Sequence, residues 1–164
     1  MEHTITWANT QTVLEQYAQQ LVAQYRENLT QGKRNASSKL ADTVKAEVKV
    51  EETVISVELT LQDYWYYVDH GRKAGKMPPI GKIEEWVKVK PVTPRPFGKS
   101  GKRIPTPRQL AFLIARKIGR EGTKGTHDLR NASDMTYDAF KARLEQAIAE
   151  DVGNYTATIF REAF

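Results

Sequence analysis

The sequence contains no cysteine. That single absence removes disulfides, thiolate catalysis and most zinc sites together. Histidine is scarce as well: His3, His70 and His127 stand far apart and show no ligand spacing. No run approaches the ~20 consecutive apolar residues of a membrane span. The first residues, "MEHTITWANTQ", have neither the basic start nor the apolar core of a signal peptide. There is no nucleophile elbow, no phosphate-binding glycine fingerprint and no cluster of metal-ligand types. The expectation is a soluble intracellular chain that is not an enzyme, holds no cofactor or metal, has no membrane partner and owes its stability to packing. Its 164 residues suffice for one domain with a real core and are too few for two ordinary ones.

What is present is an uneven charge. The net +5 conceals a segment from Arg72 to Arg130 with sixteen Lys or Arg against four Asp or Glu, a balance of +12. The remainder carries nine against sixteen, a balance of −7. A segment that basic favours a polyanion or an acidic protein surface as its neighbour, although a solvated basic face would look the same.

Hydrophobic spacing sets out the elements. Thr12 and Glu15 have capping-box spacing, and Leu14, Tyr17, Leu21, Tyr25 and Leu29 form one helical stripe that predicts a helix from Val13 to about Leu29, stopped by Gly32. "GKRNASSK" reads as a polar linker. In "TVKAEVKV", Val44, Ala46, Val48 and Val50 alternate with Lys45, Glu47 and Lys49; Glu51 and Glu52 mark a turn, and Ile55, Val57, Leu59 and Leu61 alternate again. This is an antiparallel hairpin with one buried face. "YWYYV" extends the sheet on propensity, since aromatic and β-branched residues suit a pleated surface. Pro78 and Pro79 precede a helix "IGKIEEWVKVK" with Ile80, Ile83, Trp86 and Val87 on one side. Thr106, Pro107 and Gln109 begin another, with Leu110, Leu113, Ile114 and Ile118 as its stripe and Gly122 as its end. "GTKGTHDLRNASD" reads as loop, and a last helix starts near Ser133 or Asp134, with Phe140, Leu144, Ile148, Val152 and Tyr155 aligned and Gly153 as a possible break. The result is a single α+β domain over residues 1–164: a small antiparallel sheet packed against an N-terminal helix and two to three further helices.

Three constellations stand out. Residues 91–105, "PVTPRPFGKSGKRIP", form a long basic Pro/Gly loop that cannot be helix or central strand. With the following helix it offers Arg95, Lys99, Lys102, Arg103, Arg108 and Arg116 for phosphate or inter-subunit contacts without base readout. Tyr64, Trp65, Tyr66 and Tyr67 would stack bases on an open surface, or pack as alternate core and partner contacts. Asp69 and His70, with Asp63, His127 and Asp128, are the types needed for general-base chemistry, but neighbours on a strand point to opposite faces.

In their order, the N-terminal helix, the hairpin, "YWYYVDHGRKAGKMPPIGKIEEWVKVK" and "LAFLIARKIGREGTKGTHDL" resemble the tail-completion or neck proteins of tailed bacteriophages, also described as head–tail joining or minor tail components. The likeness covers roughly residues 10–150 and rests on three steps. They are a Tyr-rich strand ending in an acid and a Gly-Arg step (Tyr67 to Arg72), a Met-Pro-Pro lead into a Trp-containing helix (Met77 to Trp86), and Ile-Ala-Arg-Lys-Ile (Ile114 to Ile118) as in phages of gut Bacteroidetes. One departure is Asp128 in "GTKGTHDL", where the family has an aromatic after a Gly-Pro-Gly turn. The resemblance implies a virion structural subunit that sits with copies of itself in a ring between the portal-side connector and the tail, around the DNA in the neck. It also implies that Asp69, Gly71 and Arg72 form a structural corner from strand to loop. The reading from a different class is a sequence-independent nucleic-acid-binding module using the basic segment 72–130.

Overall fold

The computed structural model describes residues 4–32, 38–51, 54–90, 92–96 and 103–163. Its spine is a pair of long antiparallel helices, α1 (Ala8–Gln31) and α6 (Asp128–Ala163). The polar contacts between them run in opposite senses along the chain. Asn9 and Thr10 meet Asp151, Tyr17 meets Phe140 edge-on at 6.0 Å, and the Asn28 amide donates to the Asp128 carbonyl at 2.9 Å. Leu21, Tyr25 and Leu29 of α1 are buried together with Ala132 of α6 and with Leu40, Ala41 and Val44. Each large side chain removed from water in this way contributes roughly 1.5–3 kcal/mol. Small residues on α6, Ala132 and Ala147, let the two backbones approach.

The strands follow their alternation. A one-turn helix α2 (Lys39–Thr43), held by the Arg26 side chain on the Ala41 carbonyl at 2.7 Å, leads into β1 (Lys45–Val50). It pairs antiparallel with β2 (Ile55–Thr60), matching Ala46 with Leu59, Val48 with Val57 and Val50 with Ile55. The register sets Glu47 opposite Glu58, and Lys49 offsets that repulsion from the diagonal, 2.6 Å from Glu58. Leu59 and Leu61 complete the contact with the core. Glu51 donates to the Val54 carbonyl at 2.8 Å and so closes the turn, of which Glu52 lies outside the described residues.

The remaining elements are α3 (Trp65–His70), β3 (Gly71–Arg72), α4 (Ile80–Val89), α5 (Pro107–Glu121) and β4 (Thr123–Lys124). β3 and β4 form a second, two-residue antiparallel ladder. α4 and α5 pack on each other, with Ala111 and Ala115 buried and Gly119 seated against Met77. Thr106 caps α5 in a full capping box with Gln109, as its spacing predicts. The α+β class holds, with three longer helices and two short ones after the first among the described residues.

Several boundaries differ, each for a physical reason. Thr12 does not cap α1; its hydroxyl donates back to the Ala8 carbonyl, and the helix starts five residues before Val13 because Asp151 receives its first amides. "YWYYV" is helix rather than strand. Trp65, Val68 and Asp69 turn inward at helical spacing while Tyr64, Tyr66 and Tyr67 stay outside, a period hidden by the uniform ring content. α6 begins at Asp128, not Ser133 or Asp134, and passes straight through Gly153. An exposed glycine costs only about 1 kcal/mol in a long helix. Of the expected linker, residues 33–37 lie outside the described residues and Lys39 begins α2. Leu113 is 45% exposed rather than buried, because α5 turns its alanines to α4. Within the expected 91–105 loop, residues 92–96 and 103–105 are irregular apart from a single bridge at Arg103, and residues 91 and 97–102 lie outside the described residues.

Asp151 supplies the first prediction. Burial raises its pKa, but hydrogen bonds from Thr10 and Asn9 outweigh this and hold the carboxyl below its ordinary value. Asp151→Ala is expected to lower the unfolding free energy by about 1–3 kcal/mol in urea titration. A depressed folded-state pKa gives stabilisation that is complete above the unfolded-state value and lost as pH falls through the folded one. Asp151→Asn therefore loses that part of the acid sensitivity. A variant as stable as the parent at pH 7 would contradict the cap.

Candidate functional site

The corner expected at Asp69, Gly71 and Arg72 exists, but it joins a helix to a strand. α3 ends at His70, and the chain reverses through Gly71 at φ 77°, a conformation that side chains resist. A Cβ on Gly71 would collide with the Thr123 carbonyl oxygen, and one on Gly125 with the Asp69 and His70 carbonyls. The two segments, 69–72 and 122–129, thus interlock backbone to backbone. The Asp69 carbonyl accepts from Thr126 and His127 N–H at 2.8 and 2.9 Å. Its carboxylate accepts from the Leu129 N–H at 2.8 Å, which caps α6 from another element. The Asp128 carboxylate accepts from the Thr126 hydroxyl at 2.6 Å, and Asp128 is itself buried.

Beneath the corner lies Tyr25, fully buried. Burial, with Asp69 and Asp128 nearby, pushes its phenol well above the ordinary tyrosine range. Above the corner an aromatic surface faces outward. Tyr66 stacks on His70 at 4.4 Å, His70 meets His127 edge-on at 5.9 Å, and the Arg72 guanidinium lies 4.7 Å over the Tyr67 ring. The helical form of α3 brings His70 within 3.5 Å of Asp69 on one side of the chain, where a strand would have parted them. The acid is nevertheless committed to the α6 amide, and Asp63 lies exposed in the turn before α3. Among the described residues no group of three or more His, Asp or Glu is arranged to hold a metal ion. No described helix is long and apolar enough to cross a membrane.

The basic residues divide. Arg103 and Arg108 line one open groove of about 590 Å³ with Ile80, Thr106, Phe112 and Leu113. Arg116 is exposed two turns further along α5, and Arg95 is exposed in the segment 92–96. Lys99 and Lys102 lie outside the described residues. The groove therefore joins a basic rim to an apolar floor, a combination suited to a protein surface as well as to phosphates.

Sequence reasoning missed Asp151, Gly125 and Thr123, whose hydroxyl accepts the Arg72 N–H at 3.0 Å. Asp151 sits inside a helical pattern 141 residues from Thr10, so nothing local marks it. The glycines of "EGTKGT" were the available signal, since paired glycines on both sides of a short strand imply close backbone approach.

Gly125→Ala tests the interlock. The added methyl has backbone rather than side chain to displace, so a loss of about 1–3 kcal/mol is expected by denaturant titration. Gly81→Ala, where a Cβ meets open space, should be neutral or slightly stabilising. Equal effects at the two sites would refute the interlock. Comparison with family models, curated proteins and solved structures finds no match for this chain.

Proposed function

We propose that the chain is a structural virion protein of a tailed phage, a subunit of a neck or tail-completion ring that joins the portal-side connector to the tail by protein–protein contacts. One observation supports this beyond the family resemblance: large apolar side chains on three of the described helices stay in water. Trp86, Val89, Ile104, Phe112 and Leu113 around α4 and α5, and Met135, Val152 and Phe160 on α6, are each more than a third exposed. α4 has no buried residue at all. Such faces are what a subunit covers on assembly. In this role the partners are further copies, the connector and the tail proteins, with the DNA in the neck channel as a further neighbour of the basic segment; no catalytic step is assigned.

The nucleic-acid module remains as a second reading because Arg103 to Arg120 contains five cations and no acid. The two separate experimentally. In a phage depleted of this chain, filled heads without tails, or heads leaking DNA, are expected. Normal infectious particles without the chain would overturn the neck role. Purified chain that binds DNA of any sequence, with affinity falling steeply in salt, would then favour the module.

A further inference from the structure

Two separate surfaces of the chain are complementary. Asp151 binds the first amides of α1, so the last twelve residues of α6 extend beyond the first turn of its partner helix. They reach about 18 Å further. On this extension and the turn before it, Ile148, Val152, Thr156 and Phe160 recur every fourth residue and are exposed, the last at 57%. Beside them Ala149, Gly153 and Ala157 form a low, exposed track, and a Cβ on Gly153 would meet nothing. An apolar ridge along a shallow track is the shape that enters a groove between helices. This part of α6 is mildly acidic at its surface: from residue 145 to 162 the exposed charges are Glu145, Glu150 and Glu162 against Arg161, with Asp151 buried as the α1 cap.

The groove over Ile80, Phe112 and Leu113 has an apolar floor and the guanidinium rim of Arg103 and Arg108. Val152 and Phe160 lie roughly 36 and 48 Å along α6 from Asp128. α5, which joins α6 through the short β4 link, is only about 22 Å long and packs on α4. The ridge and the groove are therefore separate surfaces of one chain. We propose that the α6 extension of one copy docks in the α4–α5 groove of the next, with acid meeting base and the Phe160 ring on the Phe112–Leu113 floor. Unlike patches joined in this way form a heterologous contact, which propagates from copy to copy and closes into a ring when the rotation permits. The inference rests on the assembly reading and gives it a specific interface.

The absence of native cysteine makes the test clean. Ala157→Cys and Arg116→Cys, each exposed and leaving Phe160 and Phe112 in place, are prepared as separate full-length proteins, mixed, and treated with a short bis-maleimide. Both sites are exposed, so melting temperatures should match the parent. The expected product is a covalent dimer in the mixture and none in either variant alone. Adding Arg108→Glu to the Arg116→Cys protein should cut the yield severalfold at low salt. A dimer from Ala157→Cys alone would replace the proposal with two-fold pairing of α6. No cross-link in the mixture would overturn it. If the cross-link fails while phage depleted of the chain still lacks tails, the interface is wrong and the neck role stands. If the cross-link forms and depleted phage is normal, the contact stands without that role.

Discussion

Two buried carboxylates hold the structure in register, and each caps a helix to which it does not belong. Asp151, late in α6, takes the first amides of α1; Asp69, at the end of α3, takes the Leu129 amide at the start of α6. A helix N-terminus presents unpaired N–H groups and the positive end of the peptide dipoles, so a carboxylate is its natural partner. A buried carboxylate without such partners would be strongly unfavourable, so a slipped register costs both the acid and the amides. The α1–α6 pair is fixed at one end by Asp151 and at the other by the Asn28 amide on the Asp128 carbonyl, with Leu21, Tyr25 and Leu29 between them.

That economy leaves the rest of the chain less covered. The corner at Gly71 and Gly125 ties α4 and α5 to the spine through backbone contacts and the two-residue β3–β4 ladder. Their apolar residues are only half covered, and the end of α6 extends past α1. In the proposed role as an assembly subunit, the rigid spine would fix the spacing between two partly covered faces, which would reach full burial against further copies.

Much of the fold was legible where its signals are local and periodic. The hairpin follows from the alternation of Val44 to Val50 and Ile55 to Leu61, and α5 from its capping box at Thr106. The failures share one cause, which is that the deciding partner lies far away in sequence. Thr12 and Glu15 look like a cap, yet the real cap is Asp151. Tyr64 to Tyr67 have strand propensity, yet the choice belongs to Asp69, which must face both Leu129 and the 126–127 amides. Of the candidate site, the corner at Asp69, Gly71 and Arg72 came from the resemblance, as strand to loop, and the sequence itself marked only the break at Gly71. The pairing of Arg103 and Arg108 over an apolar groove was not legible, because Ile80 comes from another helix.

The division between a self-sufficient spine and a partner-dependent remainder is open to native-state hydrogen exchange. In the isolated chain, amides in the middle of α1 and of α6 up to residue 151 should exchange only through global unfolding. Those of α4 and of residues 153–163 should exchange at least 100-fold faster, and slow only when the chain is assembled. Uniform protection along the isolated chain would contradict this division and mean that the exposed faces need no partner.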